Sequence, residues 1–199
     1  MPTPSYPPLV LASSSPRRRQ LLEMAEISFT VLTMHTDESF PSGMHSTEAA
    51  RHVAMTKASA VFHSPQYALH HQGQMVLAAD TMVVLDDEVL GKPGNRREAI
   101  HMISRLSGRQ HQVITGVCLM GTAQTFVFSD QTEVCFRGLS EAEITHYVDT
   151  YHPYDKAGAY AIQEWIGMIG ITAIHGDYYN VMGLPVNRIV AELKRLFPG

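Results

Sequence analysis

Among the 15 Lys and Arg and 19 Asp and Glu of this sequence, six side chains form a set that phosphate chemistry could use: the cations Arg17, Arg18, Lys57 and Lys92 and the acids Glu38 and Asp80. The two arginines belong to the stretch 9–22, LVLASSSPRRRQLL. There an apolar run stops at Ser13, Ser14 and Ser15 and restarts as a helix at Pro16. Proline suits the first helical position, and Ser15 can cap with its side-chain oxygen. Orphan N–H groups, the Ser13 and Ser15 hydroxyls and adjacent guanidinium forks then face one place. That combination suits phosphate, which arginine grips with two N–H bonds at once. A purely structural helix would start with Asp or Glu, because cations there oppose the dipole.

Asp80 stands inside an otherwise apolar run, 75–85, MVLAADTMVVL. A buried carboxylate is costly without partners. Either a structural network satisfies it, or it points into a site as a general base or as an oxygen ligand for a divalent cation. Thr81 would face the other way unless the strand ends or bulges there. A functional Asp80 crowded beside Glu38 is strained, so neutralising it is expected to leave stability unchanged or raise it. Lys57 falls on an apolar helical stripe with Ala50, Ala54 and Val61. Its stem can snorkel with the ammonium in water, or the ammonium can point into a pocket. Lys92 lies on the tight loop Gly91-Lys92-Pro93. Together these residues imply an anionic substrate bridged by a metal.

The elements that must position them read as a mixed α/β chain. Strands are expected at Leu9–Ala12, Phe29–Leu32 and Met75–Leu85, with Glu88–Leu90 pairing back. Two more, Gln110–Met120 and Thr125–Phe136, form a long hairpin. Helices are expected from Pro16, over Thr47–Phe62, from the Asn95/Glu98 cap to Gly108, from the Ser140/Glu143 capping box through Val148, and from Pro185. Residues 63–74 read as a polar loop, 151–163 as a loop with a short helical piece, 169–174 as a strand, and 176–184 as turn-rich.

At 199 residues, 45% hydrophobic and 17% charged, the chain can bury a sizeable core. A net charge of −4 gives no general attraction to nucleic acid or membrane. Cys118 and Cys135, both in apolar stretches, read as small buried thiols in a reducing compartment. The histidines show no metal-ligand spacing, and neither the P-loop nor the dinucleotide glycine fingerprint is present. A signal peptide and a membrane span are both missing from the pattern, so a cytoplasmic protein is expected.

The sequence resembles the Maf family of nucleoside triphosphate pyrophosphatases. The matching pieces are LASSSPRRRQLL (11–22), Lys57-Ala58, AADTMVVLDDEVLGKP (78–93), LSGRQHQVITGV (106–117), DKAGAYAIQ (155–163) and GDYYNVMGLP (176–185), in family order. The resemblance implies an α/β fold similar to that of inosine triphosphatase, with a long central mixed sheet, helices and two lobes around a cleft. One such domain would cover 9–199, behind a loose leader at 1–8. It implies hydrolysis of a nucleoside triphosphate to monophosphate and pyrophosphate, with a divalent metal such as Mg2+ or Mn2+. It assigns Ser13, Ser15, Arg18, Lys57 and Lys92 to phosphate, Asp80 to proton acceptance, and Glu38 with Asp80 to the metal, Asp37 being the alternative to Glu38. DKAGAYAIQ is similar to the branch acting on dTTP and UTP, with Arg17, Thr81 and Gln163 on positions tied to that choice. Ala161 stands where Gly is usual, and Glu164-Trp165 replaces a smaller sequence, which bears on base specificity. The expected partner is the nucleotide alone, without nucleic acid or membrane, and a homodimer is left open. Two other functions carry over: a non-catalytic nucleotide-binding regulator of septum formation, and an inosine triphosphatase-like purine hydrolase.

Overall fold

Leu9–Leu11 form strand β1, whose backbone pairs with a parallel neighbour on each side and whose three side chains are all buried, as in a strand covered on both faces. The computed structural model describes residues 6–197. Five residues of the expected leader, 1–5, therefore lie outside the described residues. The other strands are β2 (Phe29–Val31), β3 (Val76–Leu85), β4 (Glu88–Leu90), β5 (Gln110–Met120), β6 (Thr125–Phe136) and β7 (Ile171–His175). The helices are α1 (Pro16–Met24), α2 (Ser46–Phe62), α3 (Pro65–His70), α4 (Arg96–Leu106), α5 (Glu141–Tyr151), α6 (Trp165–Gly170), α7 (Tyr178–Met182) and α8 (Val186–Leu196). A single 3-10 turn covers Ala157–Ala159.

The strands form one seven-stranded sheet in the order β2-β1-β3-β5-β6-β7, with β4 on β3. It is mixed: β1 runs parallel to β2 and β3, while β3–β4 and β6–β7 are antiparallel. The β3–β4 hairpin turns through Asp86 and Asp87, both at positive φ, as a two-residue turn of matching twist requires. Among the described residues no helix is long and apolar enough to cross a membrane.

The chain divides into two compact units. The first holds the residues up to Asp80, Thr115–Asp130, and those from Gly183 onward. Its core includes Val10, Ala54, Ala58, Val61, Val76 and Cys118. Helix α2 lies very close to β5: a Cβ on Gly116 would stand 2.2 Å from the Ala50 carbonyl carbon. Only glycine permits that approach, and it fixes how far α2 stands from the sheet.

The second unit holds Thr81–Ile114 and Gln131–Met182. Here the capping box at Ser140 is complete, and Arg137 pairs with its Glu143 at 2.6 Å. That arginine and the Ser140 bonds pull the Glu143 carboxyl down to about 2. Gly158, at φ +66°, sits against Val83, where any side chain would collide. Buried His111 meets the Tyr160 hydroxyl at 2.7 Å and stacks on Phe136.

Several local expectations are corrected. Ser15 is the N-cap of α1 by position but makes no side-chain cap bond. The stretch expected as a polar loop contains α3, capped by the Ser64 side chain, which accepts the Tyr67 N–H. Helices α6 and α7 lie where a strand start and turns were expected. Cys118 is buried, and burial pushes its thiol up to about 12, but Cys135 is only half-buried.

Candidate active site

The start of α1 follows directly from β1, so the turn at 12–15 is held by a buried strand on one side and a helix on the other. Within it Ser13 is buried, and its Oγ accepts two bonds: the Ser15 N–H at 3.2 Å and an Arg18 Nη1–H at 3.3 Å. Arg18 Nε donates to the Gly183 carbonyl at 2.8 Å. The guanidinium is thus oriented by two bonds of its own before any ligand is considered. Burial holds Arg18 below its ordinary value. Attraction to Asp80 opposes this, repulsion from Arg17 adds to it, and Glu38 opposes it more weakly. Those electrostatic links place Arg17, Arg18, Asp80 and Glu38 in one neighbourhood of the first unit.

Lys57 is at the centre of that neighbourhood. Its Nζ donates to Asp80 Oδ1 at 2.7 Å and lies 3.0 Å from Glu38 Oε1. The Lys57 and Asp80 side chains are 15% and 14% exposed, whereas Glu38 is 51% exposed. Of the two readings of Lys57, the ammonium in water does not hold: it points inward to two acids. Of the two candidate acids, Glu38 joins the cluster. Asp37 instead accepts the Ser39 N–H at 2.9 Å and its hydroxyl at 2.8 Å, and those bonds keep its carboxyl low. Asp80 and Thr81 are the two half-buried positions in a strand whose other residues are all buried.

In the second unit Lys92 is exposed on its loop, which is tied down by Gly158 N–H donating to the Gly91 carbonyl at 3.0 Å. Gln163 is exposed and lines an open pocket of about 380 Å³ with Ile162, Met168 and Tyr178. Its neighbour Glu164 braces the fold, accepting from the Tyr147 hydroxyl and pairing with buried Lys156 at 3.4 Å. The same hydroxyl oxygen accepts the Ala161 N–H at 3.2 Å. The Glu164 side chain and the Ala161 backbone therefore anchor the segment that carries Gln163.

Two contributors were not foreseen. The Gly183 carbonyl that orients Arg18 is a backbone group, so no side-chain pattern marks it. Tyr147 sits on the buried face of α5 with Ile144 and Val148, where periodicity reads it as core. Among the described residues no three of His, Cys, Asp and Glu gather as a metal site.

The sequence pattern described as Maf-like protein matches residues 8–196, through both units in one piece. A dTTP/UTP pyrophosphatase of Parabacteroides distasonis is 49% identical over 187 residues, which cover 94% of each chain. A protein of the same name from Bacteroides thetaiotaomicron is 44% identical, covering 94% of this chain and 95% of its own. Among solved structures, the Staphylococcus aureus Ham1 protein aligns over 96% of this chain and 100% of its own, with a TM-score of 0.54. At 14% identity that likeness is one of fold. The serine–arginine turn, the acid within β3 and the lysine on α2 thus lie in a chain that matches one family along nearly its whole length, and the chain belongs to the Maf family.

Proposed function

We propose that this protein hydrolyses dTTP and UTP to the nucleoside monophosphate and pyrophosphate, using a divalent cation. The observation that carries the reading is Asp80: a little-exposed carboxylate in a buried strand, held by Lys57 and within electrostatic reach of an oriented Arg18. A carboxylate so placed can take the proton of an attacking water while neighbouring cations hold phosphate oxygens. The names of the relatives supply the substrates.

In this mechanism the α1 turn binds phosphate through the Ser13 and Ser15 region and Arg18. Lys57 and Lys92 are assigned to phosphate as well, and Arg17, Thr81 and Gln163 to the choice of base. Water adds to phosphorus, its proton passes to Asp80, the bridging P–O bond between the α and β phosphates breaks, and pyrophosphate leaves. Asp80 and Glu38 fit a divalent cation, because two hard carboxylate oxygens turn to one point. Mg2+ commonly takes one or two carboxylates and completes its shell with water and substrate phosphates. When bound, it neutralises charge on the phosphates and the departing group. The reading assigns the protein to the cytoplasm, with free nucleotide as its partner, and allows a homodimer.

The test is a panel of nucleoside triphosphates with Mg2+ or Mn2+, scored for pyrophosphate against orthophosphate. Pyrophosphate from dTTP and UTP is the expected result. Orthophosphate as first product sinks the reading. Binding without turnover favours the regulatory function, and a preference for inosine nucleotides the purine hydrolase.

A further inference from the structure

Lys57 holds both acids of the cluster at once, through Asp80 Oδ1 at 2.7 Å and Glu38 Oε1 at 3.0 Å. A divalent cation bound by these acids would need the same oxygens. An ammonium and a dication cannot share one point between two carboxylates, since at that range like charges repel strongly in a poorly solvated setting. We propose that Lys57 and the divalent cation compete for Glu38 and Asp80, so that loading the metal releases the lysine to the triphosphate. The proposal rests on the metal-dependent reading above.

Three features make the exchange feasible. The Lys57 backbone is fixed, because α2 is seated against β5 at Gly116. Its ammonium, however, ends a flexible four-carbon stem and can swing without moving the helix. Glu38 lies on the stretch 32–45, outside any helix or strand, and is half-exposed. It can close the gap to a metal's shorter ligand distance. With the lysine in place, one of the two negative charges is already offset and an oxygen of each acid is occupied. Without it, two carboxylates face each other, and a dication gains more by binding them.

The competition is read without nucleotide, by titrating Mn2+ and following the free ion by electron paramagnetic resonance. Lys57→Met is expected to bind Mn2+ at least tenfold more tightly than the unaltered protein, and adding Asp80→Asn is expected to abolish the gain. Equal or weaker binding in Lys57→Met, or no Mn2+ binding by either protein, overturns the proposal. A second measurement needs no variant. Acylation of Lys57 by a succinimidyl ester, quantified by mass spectrometry, is expected to rise several-fold with Mg2+, and an unchanged or lower yield overturns the proposal. Pyrophosphate release by a protein whose Lys57 labelling ignores Mg2+ would reject the competition while leaving the hydrolase reading standing.

Discussion

Gly116→Ala is a single methyl group placed where the first unit has no room. Its Cβ would stand 2.2 Å from both the carbonyl carbon and the oxygen of Ala50, and 2.5 Å from the Arg51 nitrogen. Carbon atoms rest about 3.5–4.0 Å apart, so α2 must retreat by roughly 1 Å or more. The obstacle is helix backbone, which cannot turn aside as a side chain can. Overpacking of this kind costs about 1–3 kcal/mol, and alanine returns about 0.5–1 kcal/mol as the better strand residue. The net loss is on the order of 1–2 kcal/mol, a fall of several degrees in Tm at this chain length. Lys57 lies seven residues beyond Ala50 on the same helix, so the root of its stem moves with α2 and the 2.7 Å bond to Asp80 survives only if the stem re-extends. Misplacement by about 1 Å can cost roughly 10²-fold in turnover. The assay pairs a thermal melt with dTTP turnover. Gly121→Ala is the control, since its Cβ comes no closer than 3.4 Å to any neighbour, the Met75 side-chain end, with the Gln124 carbonyl oxygen at an ordinary 3.6 Å. A Gly116→Ala protein that melts and turns over like the unaltered one would refute the claim that this contact sets the position of Lys57.

Asp80→Asn is expected to lower turnover by about 10²–10⁴-fold, as loss of a general base does. It should also lower the melting temperature, by an amount matching roughly 1–3 kcal/mol, because Lys57 and Arg18 lose a charged partner. A normal rate per folded molecule would remove Asp80 from the chemistry. His111 supplies a pH signature: burial lowers its ring to about 4 from 6.5, so the folded state disfavours the proton. Its contribution is complete above pH 6.5 and is lost as pH falls towards 4, reaching about 3 kcal/mol at roughly 1.4 kcal/mol per unit. Melts of the unaltered protein and of His111→Phe from pH 7.5 to 4.5 check this. The unaltered protein should fall more steeply, and parallel slopes would contradict the burial argument.

Strong periodicity and caps made much of the fold legible. The ranges 110–120 and 125–136 were read as strands to the residue, and the caps at Asn95 and Ser140 form as their spacing implies. Helix α3 was hidden because its six residues sit inside a polar stretch and are too few to show a period, although Ser64-Pro65 carries the same start signal as Ser15-Pro16. Helices α6 and α7, of six and five residues, are too short to show a period. In the site the residue types were legible and their pairings were not. Sequence alone set Asp80 against Glu38 and suggested that neutralising Asp80 would not harm stability. The structure reverses that expectation, because Lys57 stands between the two acids. Spacing on one helix cannot show which distant carboxylates its lysine will meet.

The bond from Arg18 to the Gly183 carbonyl joins residues 165 positions apart, and the first unit is built from three separated stretches of chain. Synthesis runs from the N-terminus, and contacts so distant in sequence bear the full entropy of closing the loop. While the ribosome is still making the second unit, the serine–arginine turn already exists but its arginine has no carbonyl to hold it. The competent site therefore has a birth order: its phosphate grip is the earliest part translated and among the last to become ordered. A nascent chain arrested before Gly183 should contain every ionisable residue of the cluster and yet lack one of the two acceptors that orient Arg18.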